Sequence, residues 1–299
     1  MRYSVLISTR NRPKELSALL RSISKQALTP NQVIVISSGE SILHILSDHS
    51  SLPILHCHSE ISGQILQKRM GLGLIDTKSD WVLFLDDDLV LESHTTSILS
   101  NFISEIDSSV NILGIGLSCV NEFPEKKSLR KVSPSRFGKV SASGVNYDYM
   151  HSDKSIFTEW LNGASLWRRD VLFHYDLPIV PIKYAFGEDL IFSYKLSRLG
   201  SLFFLKEAEF RFQKAPTYDV RNLEMWQASA YWRYYFVAKN GLSASRFLLN
   251  LVLSASLFLL RNYKCFPQYF ISIGLDVSRI CIALVRKLDP EVLLSRARF

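Results

Sequence analysis

Several features that would settle the class of this chain at once are missing from it. Only four cysteines occur in 299 residues, at Cys57, Cys119, Cys265 and Cys281. They lie far apart and form no C-x-x-C pair, which argues against a disulfide framework and a thioredoxin-like motif and leads us to expect reduced thiols in the cytosol. No zinc-finger spacing and no aromatic RNA-binding signature is present, so no nucleic-acid partner is expected. No G-x-G-x-x-G follows the first apolar run, which sets aside a dinucleotide-dependent oxidoreductase. No internal repeat or low-complexity run is apparent. The most apolar run, Phe247 to Leu260, is interrupted by Asn250. It falls short of the roughly 18–20 residues needed to cross a bilayer. Met1-Arg2-Tyr3-Ser4 passes straight into a strand, so no signal peptide is expected.

What is present suits one large globular domain, or one domain with an appendage: 47% of residues are hydrophobic and 21% charged. The formal net charge of +7 favours phosphate-bearing ligands or an anionic membrane surface. The chain is organised around Trp81-Val82-Leu83-Phe84-Leu85-Asp86-Asp87-Asp88. A short continuous apolar run reads as a strand buried in a parallel sheet. Three adjacent carboxylates cannot share that interior, because burying unpaired charge is very costly. They must emerge at the carboxyl edge of the sheet, where ligands of open parallel sheets bind. Grouped oxygen ligands there suit a hard divalent cation that carries substrate phosphates, whereas a solvated loop is the plainer alternative.

Along the chain, strands are expected at Tyr3–Ser8, Gln32–Ile36, Pro53–Cys57, the acidic strand, Val110–Val120 and Ser201–Phe212. Helices are expected near 13–23, 42–46, 62–75, 93–106 and 187–199. This alternation predicts an α/β sheet with right-handed crossovers. Thr9-Arg10-Asn11-Arg12 then forms a loop at the sheet edge, with Pro13 opening a helix whose first NH groups could bind an anion. Asn121 to Asp153 breaks the pattern and is expected to be a mobile loop shaping a site. Glu188 and Asp189 open a helix, where plain capping is the simplest role.

Three motifs, taken in order, resemble a family 2 glycosyltransferase of the GT-A fold. Val5 to Pro13 is similar to the family's first strand and nucleotide-binding loop. Phe84-Leu85-Asp86-Asp87-Asp88 is similar to its DxD metal motif, and Gly187-Glu188-Asp189 to its ED motif. Trp160-Leu161-Asn162-Gly163-Ala164 resembles the acceptor-side segment that precedes the latter. The resemblance covers roughly residues 3–212. It implies a Rossmann-like mixed sheet flanked by helices, a nucleotide-sugar donor, Mg2+ or Mn2+, and transfer with inversion. On that reading Asp88 ligates the metal, with Asp86 at the ribose or a metal-bound water. Asp189 is the catalytic base and Glu188 orients it. Thr9, Arg10, Asn11, Arg12, Ser37, Arg69, Asp86 and Asp87 bind the donor, whereas Trp160, Asn162 and Gly163 meet a glycan or lipid-linked acceptor. Surface polysaccharide or glycolipid synthesis would be the setting.

The chain also departs from the family pattern. Ser37-Ser38-Gly39 stands where an acid often reads the nucleobase, Arg69-Met70-Gly71 keeps the arginine of Arg-Asn-x-Gly without the asparagine, and Gln213 stands where many members carry a histidine. Arg211 or Lys214 could assist the phosphates. A phosphatase of the haloacid dehalogenase type also places DxD after an apolar strand, though usually its first. A non-catalytic nucleotide- or glycan-binding protein on the same shell is the other alternative.

A composition boundary is expected near 222, giving a domain of residues 1–221 and a helical extension of residues 222–299. Beyond Gly241 there are eight Lys and Arg against three acids, a net +5. Apolar stretches with a basic, aromatic fringe suit helices lying in a membrane interface, which places the protein in the cytoplasm or peripherally on the inner face of the cell membrane.

Overall fold

The computed structural model describes residues 1–107, 109–121, 133–150, 152–180, 182, 184–213 and 222–297. Contacts divide the chain into two compact units. The first comprises Met1–Lys139, Tyr147–Leu177 and Phe192–Pro216, and the second Val140–Asn146, Pro178–Ile191 and Thr217–Phe299.

The first unit holds a nine-stranded mixed sheet: β1 (Tyr3–Arg10), β2 (Gln32–Ser38), β3 (Ile54–His58), β4 (Trp81–Asp86), β5 (Leu89–Leu91), β6 (Ile112–Cys119), β7 (Ile156–Thr158), β8 (Ser165–Arg168) and β9 (Ser201–Phe212). Its order is β3-β2-β1-β4-β8-β6-β9-β5, with β7 pairing β9. The β3-β2-β1-β4 half is parallel, and there Val5, Leu6, Ile7, Val33 to Ile36 and Val82 to Leu85 are almost fully buried. Continuous apolar runs are what a parallel strand covered on both faces requires. Helices α1 (Pro13–Ser24), α2 (Leu43–Ser47), α3 (Gln64–Leu72) and α4 (Thr95–Glu105) link the strands. Leu16, Leu19, Leu20 and Ile23 of α1 join Val5, Ile7, Val33, Val35, Leu83 and Leu85 in one core.

The other half brings the antiparallel pairs β4–β8, β6–β8, β5–β9 and β7–β9 beside parallel β6–β9, which makes the sheet mixed as the resemblance implied; β5, β7 and β8, only three or four residues long, are not among the strands expected from the residues themselves. Gly114 of β6 lies opposite Trp167 of β8, and a Cβ there would sit 2.5 Å from the indole. At Gly116 a Cβ would meet Leu161 at 2.8 Å and Tyr149 at 3.0 Å. Two missing side chains thus let the segment before β8 lie flat on the sheet.

The described part of the stretch expected to be an irregular loop has order of its own. Pro134–Arg136 is a 3-10 turn, and Tyr147 N donates to Lys139 O at 2.9 Å. Residues 122–132 and 151 of that stretch, like Lys214, lie outside the described residues. Helix α5 (Glu188–Leu196) runs from the second unit into the first.

The second unit is helical: α6 (Leu223–Lys239), α7 (Ala244–Arg261), α8 (Phe266–Val285) and α9 (Pro290–Arg296). Asn222 caps α6, its side chain accepting from Met225 N at 3.0 Å. The aromatic residues of α6 form its core and not a surface fringe: Tyr231, Trp232, Tyr234 and Phe236 are each 1% exposed. Asp276, buried in mid-α8, accepts from Gln227 Nε2 at 2.6 Å and Tyr231 OH at 2.9 Å. The apolar run near 247–260 sits in an 18-residue helix. That helix and Pro267–Val285 are both long and apolar enough to cross a membrane, so the expectation that this run is too short is corrected. Flanking polar residues extend the helix beyond the run counted in sequence.

Candidate active site

Strands β1 and β4 are parallel neighbours with Ser8 opposite Asp86, so their carboxyl ends emerge side by side. Thr9, buried at the end of β1, donates from Oγ1 to Asp87 Oδ2 at 2.7 Å. Arg12 donates from one guanidinium nitrogen to Asp87 Oδ1 at 2.9 Å and Asp88 Oδ2 at 3.0 Å. Burial pushes the Asp87 carboxyl above the usual range, while Thr9 and Arg12 pull it back. Burial works against the charge of Arg12, but Asp87 and Asp88 outweigh it and raise its pKa. The middle carboxylate is therefore a strut that ties the first loop to the acidic turn.

The backbone of that turn is fastened from β9. Gln213 N donates to Asp88 O at 2.8 Å, and its side-chain amide donates to Leu89 O at 3.2 Å and Glu15 O at 2.8 Å. Gln213 thus spends its side-chain amide on main-chain carbonyls. Asp86 Oδ1 accepts from Gln64 Nε2 of α3 at 3.2 Å. Asp88 keeps 27% of its side chain exposed, against 7% for Asp87.

Carboxylate oxygens of Asp86 and Asp88 at the strand edge fit a hard cation such as Mg2+ or Mn2+ in chemical type. Among the described residues no group of three or more His, Cys, Asp and Glu could hold a metal. The remaining oxygens would have to come from a ligand's phosphates and water.

Asn11 has a left-handed backbone, φ 53°, and its Oδ1 accepts from Glu40 N at 2.8 Å. Gly39, φ 83°, lies so close that a Cβ there would meet this oxygen at 2.2 Å. Asn11 thus locks the β1 loop to the turn after β2, and exposed Arg10 lies opposite Ser38. Ser37 is buried, with Oγ 2.8 Å from His56 Nε2 and 3.1 Å from His58 Nδ1. Burial, and then the neighbouring His58, lowers the pKa of His56. Ser38 Oγ is buried without a hydrogen-bond partner.

Arg69, on the exposed side of α3, lines a cavity of about 400 Å³ with Arg169, Phe173 and Tyr175. Lys68 next to it is buried, its ammonium 5.6 Å from the Phe84 ring centroid.

The segment over the glycines of β6 is held rigidly. Trp160 Nε1 donates to Tyr147 O at 3.0 Å, Asn162 N donates to Tyr149 OH at 2.7 Å, and Gly163 is buried. Asn162 Oδ1 is buried without a partner. An orphaned buried acceptor costs about 1–3 kcal/mol, which a ligand donor would recover. At the start of α5, preceded by Gly187 with φ 74°, Glu188 is 2% exposed and Asp189 is half-buried.

Reading the sequence missed His56, His58, Gln64, Tyr149 and the fastening role of Gln213. The histidines carried a signal: two residues apart on a short strand, they share a face. The others did not, because each acts from an element distant in sequence.

Comparison with known proteins follows the same lines. A curated glycosyltransferase of uncharacterised function from Bacillus subtilis (strain 168), YwdF, is 26% identical over 171 residues, 56% of this chain and 59% of that protein. One from Haemophilus influenzae is 29% identical over 85 residues, 28% of this chain and 29% of that protein. The matched stretches thus span less than two thirds of either relative. Among solved structures, S. aureus TarS 1-349 matches with a TM-score of 0.52 at 18% identity, covering 96% of this chain and 92% of that one. TarS has also been solved with UDP and with UDP-GlcNAc. The mannosyltransferase PcManGT from Pyrobaculum calidifontis, in complex with GDP-Man and Mn2+, matches with a TM-score of 0.54 at 15% identity, covering 98% of this chain and 78% of that one. These likenesses show the fold, a GT-A-like mixed sheet with flanking helices. The model of the glycosyl transferase family 2 matches residues 4–165, the span that carries the Thr9–Arg12 loop, the acidic turn and the Trp160–Ala164 segment, and the chain belongs to that family.

Proposed function

We propose that the protein transfers a sugar from a nucleotide-sugar donor to a hydroxyl of a glycan or lipid-linked acceptor, with inversion at the anomeric carbon. The observation that carries this reading is the division of labour in the acidic turn. Asp87, 7% exposed, takes the Thr9 hydroxyl and Arg12 and ties the loop to the turn, whereas Asp88, 27% exposed and sharing Arg12, stands with Asp86 where a cation and its diphosphate would meet the turn. A divalent cation bound there supplies Lewis-acid stabilisation of the leaving diphosphate's charge. Arg12 adds a fixed positive charge beside it, and the Asn11–Gly39 lock holds the loop that would border the nucleotide. Ser37, flanked by His56 and His58, and the unsatisfied Ser38 hydroxyl offer neutral groups to a nucleobase. Asn162 offers its orphaned carbonyl to an acceptor hydroxyl.

Asp189 acts as the base: its carboxylate takes the proton from the acceptor hydroxyl as that oxygen attacks the anomeric carbon. It is the more accessible of the two acids, while the buried Glu188 orients it. The work would be done in the cytoplasm, at the inner face of the membrane where the acceptor carries a lipid. A phosphatase or a non-catalytic binding protein is not favoured, because the family match is to transferases and the acidic motif ends the fourth strand.

The test is a panel of UDP- and GDP-sugars with Mn2+, read as released nucleoside diphosphate and, for any turned-over donor, as product configuration by NMR. We expect one donor class to be used and the anomeric configuration to be opposite to the donor's. Full activity in excess chelator, or retention of configuration, would contradict the corresponding part of the mechanism.

A further inference from the structure

Helices α7 and α8 of the second unit each have two apolar faces, and only one of them is used. On α7, Phe247, Leu251, Ala255 and Phe258 are buried. Phe258 lies against Trp226 of α6 with ring centroids 5.9 Å apart, and Phe247 against Tyr234 at 6.4 Å. The opposite stripe, Leu249, Leu253, Leu257 and Leu260, is 52% to 71% exposed. Steps of three and four residues put these four side chains on one line. On α8, Ile273, Ile280 and Ala283 are buried, while Ile271, Leu275, Ile282 and Val285 are 50% to 82% exposed at the same kind of spacing. An unpartnered apolar surface of this extent marks an interaction site.

Charge decides what covers it. From residue 244 to 288 the cations are Arg246, Arg261, Lys264, Arg279, Arg286 and Lys287. The one acid in that span is Asp276, which is 2% exposed, held by Gln227 and Tyr231, and paired at 3.5 Å with Arg279, so that the five other cations carry no acid of these two helices beside them. The outward surface of these helices therefore carries charge of one sign. Arg246 and Arg261 stand at the two ends of α7, Lys264 in the link, and Arg286 and Lys287 at the end of α8. Long cationic side chains at the ends of an apolar stripe can lay their stems on it and keep their heads at a charged surface. A second copy of the chain would bring like charges together, whereas an anionic lipid surface satisfies both the stripe and its rim.

We propose that α7 and α8 form an interfacial docking face for anionic phospholipid. The two helices lie in the headgroup layer with the Leu253 and Leu275 stripes against the acyl chains. They do not cross the bilayer, because Asp276 at the middle of α8 is hydrogen-bonded to α6, and carrying it into lipid would strip those partners from a carboxylate. This docking stands apart from the transferase reading and would hold for any chemistry in the first unit.

The experiment is flotation of the full chain with phosphatidylcholine vesicles, with and without phosphatidylglycerol, at low and high salt. We expect flotation with the anionic vesicles at low salt, weakening as salt rises, and release by an alkaline carbonate wash. Arg261→Gln with Lys264→Gln should weaken binding roughly thirtyfold, about fivefold per cation. Leu253→Glu with Leu257→Glu should abolish it, with circular dichroism unchanged. Both pairs lie on exposed positions, and the glutamine pair tests the idea even where the glutamate pair fails to fold. Four results would overturn it: no flotation at low salt, equal binding to neutral vesicles, resistance to carbonate, or self-association in solution that Leu253→Glu with Leu257→Glu dissolves.

Discussion

At the scale of residues, neighbouring aspartates of the acidic turn have different surroundings, and this predicts different phenotypes for Asp87 and Asp88. Asp87→Ala would leave the Thr9 hydroxyl without its acceptor in a buried site and leave Arg12 with Asp88 alone, costing about 1–3 kcal/mol in chemical denaturation. Asp88→Ala removes an exposed ion pair worth at most about 1 kcal/mol, so its stability should stay near wild type. Asp189→Asn keeps size and much of the hydrogen bonding but cannot accept the acceptor's proton. It should lower kcat by roughly 10²–10⁴-fold with nucleoside diphosphate affinity unchanged. Glu188→Gln should cost less. Loss of nucleotide binding in Asp189→Asn would mean that the base is assigned to the wrong carboxylate. His56 gives a pH signature. Its folded pKa lies below the ordinary 6.5, because burial and His58 disfavour its charge. The unfolded chain therefore binds the proton first, so the contribution is intact above about 6.5 and lost as pH falls through the folded value. Denaturation curves between pH 8 and pH 5 should show a shallower acid loss for His56→Gln than for wild type, and equal slopes would discount His56.

At the scale of elements, much of the first unit could be read from local pattern. Strands β1, β2, β3 and β4 and helices α1 and α3 each carry their own periodicity, and the apolar runs named the buried strands correctly. Strands β5, β7 and β8 could not be read, because three or four residues hold no period and their pairing depends on β9, β6 and β4. In the candidate site, Thr9, Arg12 and the acidic triplet were legible as a set because they end adjacent strands. The staple from Gln213 was not, since it reaches Leu89, 124 residues away in sequence. The glycines of β6 gain meaning only beside β8. Gly114→Ala would drive a Cβ to 2.5 Å from the Trp167 ring. Overpacking of that kind costs about 1–3 kcal/mol, and it should also shift tryptophan fluorescence. A variant as stable as wild type would show that β6 and β8 are looser than described.

At the scale of the whole molecule, the chain joins a sheet unit that holds the acidic turn to a helical unit with a basic, apolar outer face. The sequence suggested a break near residue 222, but the second unit also takes in Val140–Asn146 and Pro178–Ile191, short segments whose own pattern gives no sign of their partners. The central claim is that the turn at Asp86–Asp88 receives a cation together with a nucleoside diphosphate. Calorimetric titration of UDP and GDP into wild type and Asp88→Ala, each with and without Mn2+, tests it most directly. The account predicts that Mn2+ strengthens binding of one nucleotide to the wild type and that Asp88→Ala, still folded, loses that strengthening. Equal affinities with and without Mn2+ in the wild type, or an undiminished Mn2+ effect in Asp88→Ala, would contradict it.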